Sequence, residues 1–228
     1  DWKQISQDLP NSKIVYLATK GDTIFTCVFR EGLYWTNDEG KTWGQLNAYN
    51  PDLNVRCLLF LENRLIVGAD SGINDYDFEA KTWTRLFEGA QVVELRSSGE
   101  HIVAGSSRGV LISKDNGKNW AFVSEGKAVH NLALFQDEIW SMYISNGLEM
   151  SDNWGQTWQP RNDNLDWGAY VFDMVKVDDF LIASHHDGIY QSSNNGVNWE
   201  LVYPTTSEKF RDLMIQENVI YGGTVSRD

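Results

Sequence analysis

The feature that most constrains this chain is an eight-residue pattern that returns about once every forty residues. Thr36-Asn37-Asp38-Glu39-Gly40-Lys41-Thr42-Trp43 and Ser113-Lys114-Asp115-Asn116-Gly117-Lys118-Asn119-Trp120 place hydroxyl, carboxylate, glycine and tryptophan at the same offsets. Ser151 to Trp158 and Ser192 to Trp199 repeat it with Asn153 and Asn194 in the carboxylate place. A fifth copy, Tyr76 to Trp83, keeps only the Lys-Thr-Trp ending. A single continuous period across 228 residues points to one repeat-built domain over 1–228 rather than two independent ones.

Between successive boxes run three short strand patterns. The first carries an apolar residue at its start and another three places on: Ile14 and Leu17, Val55 and Leu58, Val92 and Leu95, Val129 and Leu132, Val171 and Met174, Phe210 and Leu213. Residues an odd number apart face opposite sides of a regular strand, so these pairs predict a sheet buried on both faces. The second strand is shorter and more apolar, and the third opens on glycine in five units (Gly32, Gly72, Gly109, Gly147 and Gly188). No 3.6-residue periodicity persists for three turns, so almost no helix is expected.

The box reads physically as a hairpin between the third and fourth strands. Asp or Asn at its third place accepts backbone N–H groups within the turn, glycine relieves strain, and tryptophan packs on the neighbouring structure. Asp38, Gly40, Trp43, Asp115, Gly117, Trp120, Trp158 and Trp199 are therefore structural. A calcium loop is disfavoured because no copy supplies more than one carboxylate at the key place.

These eight residues resemble the Asp-box of sialidase-type and related β-propellers. The resemblance covers nearly the whole chain and implies an all-β propeller. Box tryptophans 37 to 41 residues apart, with Trp2 a further 41 before Trp43, imply six blades of mostly four antiparallel strands. Asp1-Trp2-Lys3-Gln4-Ile5 then reads as the outer strand of a sixth, incomplete blade whose inner strands lie near the C-terminus. Pairing of the two termini is expected to close the ring.

In such an architecture the first strand lines the central channel. Its two places between the apolar anchors read Val15-Tyr16, Arg56-Cys57, Val93-Glu94, His130-Asn131, Phe172-Asp173 and Arg211-Asp212. Tyr16, Arg56, His130 and Arg211, with Trp167 from the longest insertion, are the candidate ligand-binding residues. The same charges have a plainer role, neutralising one another around a water-filled channel. Glu94, Asp173 and Asp212 are the carboxylates available to a glycosidase. Sialidases of this resemblance carry an Arg-Ile-Pro segment, three arginines for the substrate carboxylate and a Tyr/Glu pair. Here no Arg-Ile-Pro occurs, the channel places supply only Arg56 and Arg211, and Tyr16 has no evident glutamate partner. The two-domain xyloglucanases that also bear the box need a second propeller to form their cleft.

The resemblance extends to non-catalytic propellers, namely sortilin-like receptor domains, photosystem assembly factors and exported bacterial proteins. It implies a binding or scaffold protein that holds a protein, peptide or glycan at the channel mouth, as a monomer or as part of a longer chain. No cofactor is implied. A formal charge of -13 argues against nucleic acid or an anionic membrane surface as partner, and no apolar run approaches a membrane helix. The chain opens without a signal peptide, which suits either a cytosolic protein or a mature exported one, and the resemblance favours an extracytoplasmic location. Cys27 and Cys57 lie in apolar strand patterns and read first as buried free thiols, with a disulfide between neighbouring blades as the alternative. His185-His186-Asp187 has ligand-type residues, but neighbours in an extended segment point apart, so no metal site is expected.

Overall fold

The computed structural model describes residues 4–6, 8–46, 54–144, 147–165, 170–205, 208–217 and 219–226. It is all-β, with no helix among the described residues. Each repeat folds as an antiparallel sheet in chain order. The first contains β1 (Ile14–Lys20), β2 (Thr23–Val28), β3 (Gly32–Thr36) and β4 (Gly44–Gln45). The second contains β5 (Val55–Phe60), β6 (Arg64–Ala69), β7 (Gly72–Asp77) and β8 (Thr82–Glu88). The third contains β9 (Val92–Ser98), β10 (His101–Ser106), β11 (Gly109–Ser113) and β12 (Ala121–Glu125). The fourth contains β13 (Val129–Phe135), β14 (Glu138–Tyr143), β15 (Gly147–Ser151) and β16 (Gln159–Pro160). The fifth contains β17 (Val171–Val177), β18 (Phe180–His185), β19 (Gly188–Ser192) and β20 (Glu200–Pro204). A two-stranded sheet, β21 (Glu208–Gln216) with β22 (Val219–Ser226), ends the chain.

The apolar core lies between successive sheets. In β10, Ile102 and Ala104 join a cluster with Ile66 and Ile73 of the second sheet, while Val103 joins Val129, Leu132 and Ile139 of the fourth. Alternate residues of one strand thus serve two different interfaces, as the period of two requires. Cys27 and Cys57 are buried in this core as free thiols.

The first strand departs from the regular alternation expected of it. In all six repeats the pairing skips one residue, leaving Val15, Arg56, Val93, His130, Phe172 and Arg211 as bulges. A bulge inserts one residue and resets the alternation. The apolar anchors therefore share one face instead of dividing between two. Val92 and Leu95 sit in one cluster, as do Val55 and Leu58, Val129 and Leu132, and Val171 and Met174.

The box forms the hairpin turn it predicted. In all four intact copies the hydroxyl of Thr36, Ser113, Ser151 or Ser192 donates to the Asp or Asn Oδ1 and accepts the glycine N–H at 2.8 to 3.1 Å. That Oδ1 in turn accepts the backbone N–H of the seventh residue at 2.9 to 3.0 Å. The indole N–H of Trp43, Trp83, Trp158 and Trp199 reaches back to a carbonyl of the preceding unit: Ile5, Leu46, Val123 and Arg161. Trp120 instead bonds to Gly117 in its own box. Three of the four box glycines, Gly40, Gly155 and Gly196, are needed for close approach as well as for positive φ, whereas a Cβ on Gly117 would make ordinary contact with Ile102 at 3.4 Å. A Cβ on Gly155 would stand 2.5 Å from Val123, and one on Gly40 2.6 Å from Ile5. The decayed fifth copy has a different turn, in which Asp77 accepts the N–H groups of Glu79 and Ala80, both at 2.8 Å.

Among the described residues no sheet closes on itself. Ile5 takes the place against Trp43 that an outer strand takes in other units, but among the described residues Gln4–Ser6 is not a strand and pairs with neither β21 nor β22. Its carbonyls are committed elsewhere, Ile5 to Trp43 and Ser6 to Leu9. The expected strand at Asp1-Trp2-Lys3 lies outside the described residues. The terminal hairpin packs on the fifth sheet through Leu213, while Met214, Val219 and Tyr221 remain exposed.

Candidate functional site

The inner strands β1, β9, β13, β17 and β21 surround a cavity of about 480 Å³. Tyr16, Glu94, Asn131, Asp173 and Asp212 line it, each two places after the first apolar anchor of its strand. The bulge is what aims them there. By displacing the second residue it turns the third away from the interface occupied by both anchors. Cys57 holds the same place in the second repeat and is fully buried.

Arg96 supplies the cation in the cavity wall. It pairs with Glu94 and donates to the Leu95 carbonyl at 3.1 Å. Burial raises the Glu94 carboxyl pKa, and the opposing pull of Arg96 does not cancel that rise. For Arg96, burial pulls the other way and is outweighed by Glu94, Tyr16 and Asp173, leaving the guanidinium more firmly protonated. Burial, then Glu94, pushes the Tyr16 hydroxyl up to about 12, so it remains a neutral donor.

Asp173 has both oxygens engaged. Oδ2 accepts the Leu213 N–H at 2.8 Å, and Oδ1 accepts the Met174 N–H at 2.9 Å and the Asn131 amide at 3.4 Å. Burial raises its pKa, with the two backbone bonds opposing. Asp212, exposed on β21, lines the same cavity.

Four of the bulged second places, Arg56, His130, Phe172 and Arg211, form a different layer, whereas Val15 lines the cavity. Arg56 is bound to Asp70, which also accepts from Gln91 at 2.8 Å. Arg211 lies 4.2 Å from the Phe172 ring centre, and His130 packs between Phe172 and Tyr170 at 5.9 and 5.7 Å. Burial, then the Arg211 charge, lowers the His130 pKa. The sequence-derived set therefore divides. Tyr16, Glu94, Asp173 and Asp212 converge on the cavity; Arg56 is neutralised by Asp70; His130 and Arg211 join a separate aromatic cluster; Trp167 lies outside the described residues.

Arg96 was not among the residues singled out from the sequence, although the repeat carries the signal. Its column reads Ala18, Leu59, Arg96, Ala133, Val175 and Met214, and Arg96 is the only charge in it.

Radially packed antiparallel sheets around an axial cavity define a propeller-like fold. Solved structures share it. The extracellular domain of BT4673 from B. thetaiotaomicron superposes with a TM-score of 0.80 at 14% identity, over 97% of this chain and 33% of that one. YCF48 from Cyanidioschyzon merolae gives 0.70 at 16% identity, over 94% of this chain and 81% of that one. An ancestral GH74 enzyme gives 0.74 at 12% identity, over 95% of this chain and 37% of that one. This chain thus spans about a third of the length of the BT4673 domain. No family model and no curated protein matches it.

Proposed function

We propose that this chain is a non-catalytic binding propeller whose axial cavity accepts a cationic group, such as a lysine or arginine side chain, from a peptide or protein partner outside the cytoplasm. The observation that carries this reading is the charge of the wall, where Glu94, Asp173 and Asp212 face one guanidinium, that of Arg96. Pairing between Glu94 and Arg96 leaves an acidic surplus on the β17 and β21 side. A cation entering there gains charge-assisted hydrogen bonds, with Tyr16 and Asn131 to orient it. YCF48 has a solved structure bound to D1 peptide, and BT4673 is matched over an extracellular domain, which supports peptide binding and an extracytoplasmic setting by analogy of fold.

A library of labelled peptides measured by fluorescence polarisation tests the proposal. Lysine- or arginine-bearing peptides are expected to bind with an affinity that falls as salt rises, and Asp212→Asn weakens them by about tenfold. Equal binding of acidic and basic peptides, or no effect of Asp212→Asn, overturns it.

The convergence of three carboxylates supports one alternative, a carbohydrate-active enzyme using a pair of them as acid and base. Glu94 is engaged by Arg96, and both oxygens of Asp173 by hydrogen bonds, which favours binding over catalysis. Glycan turnover abolished by Asp173→Asn or Asp212→Asn would replace the binding reading.

A further inference from the structure

The turn between β18 and β19 gathers three consecutive ligand-type residues. His185 ends β18, and His186 and Asp187 form the turn before Gly188. The turn defeats the expectation that neighbours point apart. One ligand atom from each residue lies within 4.8 Å of the other two. The two imidazole Nδ1 atoms face each other at 3.3 Å, His186 Nδ1 stands 3.9 Å from Asp187 Oδ1, and His185 Nδ1 contacts that same oxygen.

A tetrahedral zinc ion with bonds of about 2.0 to 2.1 Å sets its ligand atoms about 3.3 to 3.4 Å apart. The Nδ1 to Nδ1 spacing already matches. Asp187, whose side chain is 35% exposed, completes the set by swinging Oδ1 from His185 toward His186 while Oδ2 stays on the Tyr190 hydroxyl.

We propose that His185, His186 and Asp187 bind one divalent transition-metal ion of the zinc type through two Nδ1 atoms and a carboxylate oxygen, with a fourth position open to water or a ligand. Nitrogen-rich donors select this class over calcium and magnesium, which take oxygen ligands. Half of the site is already rigid. His185 is fully buried and packs edge-on to Tyr190 at 5.1 Å, and the Tyr190 hydroxyl donates to Asp187 Oδ2 at 3.0 Å. Partners of this second kind orient ligating carboxylates. His186 and Asp187 reach the surface, giving the ion its route in. Metal at Nδ1 places the remaining His185 proton on Nε2, which is buried without a partner. That cost holds the expected dissociation constant to the order of micromolar. The site stands independently of the cavity reading, although Val171, which pairs with His185, lies two residues before Asp173.

Calorimetric titration of the untagged chain with zinc chloride in a non-chelating buffer tests this, with cobalt absorption as a second readout. One equivalent is expected to bind, and cobalt gives the visible bands of a tetrahedral nitrogen- and oxygen-ligated ion. His186→Ala and Asp187→Ala each weaken binding by about tenfold or more and abolish the bands, while His101→Ala, remote in sequence and stacked on Trp154, does not. Metal-free melting curves matching the parent assign the loss to the ligands. Absence of binding at millimolar zinc, or undiminished binding in both turn variants, overturns the proposal.

Discussion

Asp173 on β17 accepts the backbone N–H of Leu213 on β21 at 2.8 Å, so one carboxylate belongs both to the cavity wall and to the joint that holds the terminal hairpin. Beside that bond the hairpin is held by Leu213, by Phe210 against Tyr203 and by Arg211 over Phe172. Leu213 is its one buried apolar residue among those described, and Met214, Val219 and Tyr221 face solvent. Asp173→Ala is expected to cost about 1.5 to 3 kcal/mol, the usual range for a hydrogen bond to a charged group. The loss should be local. Hydrogen exchange should accelerate across Glu208–Gln216 while β10 stays protected, and an equal rise in both would show that the bond is not the joint.

The box carboxylates make stability depend on acid pH. Hydrogen bonds from the Asn119 side chain and backbone, then from Ser113, hold Asp115 at about 2, against an ordinary 3.8. The Thr42 side chain, then its backbone N–H, lowers Asp38 in the same way. A lowered folded pKa means that the contribution is present above the ordinary value and lost as pH falls through the folded one. Glu94 and Asp173, raised by burial, act with the opposite sign, costing stability as pH rises through their folded values. The double variant Asp38→Asn/Asp115→Asn should therefore melt with a flatter pH profile between about 4 and 2. It should still fold, since Asn153 and Asn194 already accept the same backbone N–H. An unchanged acid profile would remove the boxes as its source.

What the sequence disclosed followed from chemistry that repeats. Hydroxyl, Asp or Asn and glycine recur at fixed offsets because each makes a local bond in the same turn, and tryptophan recurs because in most copies it ties that turn to the preceding unit, and so the turn was readable. The inner-strand bulge was not. It leaves no residue-type signature, since Val, Arg, His and Phe all occupy it, and it is fixed by tertiary packing of the anchors at either side. Missing it merged two layers into one, and Arg56, His130 and Arg211 were grouped with cavity residues that they do not join. Asp77 was hidden for a related reason, replacing the lost box from the second place of the repeat instead of the third.

The two thiols should be chemically silent in the folded protein. Burial raises the Cys27 pKa, and burial, then the nearby Glu94 charge, raises that of Cys57. The thiolate is the reactive form, and both sulfurs are sealed from solvent. A disulfide-exchange reagent should therefore label neither in native buffer and two per chain in denaturant. Stoichiometric labelling before unfolding would mean that the interfaces on both sides of the second sheet open, Cys27 lying in the one with the first sheet and Cys57 in the one with the third.

Two glycine substitutions separate backbone strain from packing. Gly21 and Gly196 both have positive φ, +57° and +73°. A Cβ on Gly21 meets nothing within 4 Å, so Gly21→Ala carries only the left-handed backbone cost, about 1 to 2 kcal/mol. A Cβ on Gly196 would stand 2.6 Å from Cη2 of Trp140, which is fully buried between the fourth and fifth sheets. Because that ring has no room to retreat, overpacking adds to the strain and Gly196→Ala should cost about 2 to 4 kcal/mol. Urea midpoints of the two variants test this directly. Equal losses would mean that the box glycine is kept for its backbone alone, whereas a larger loss at Gly196 shows that the box acts by seating each hairpin against the sheet before it.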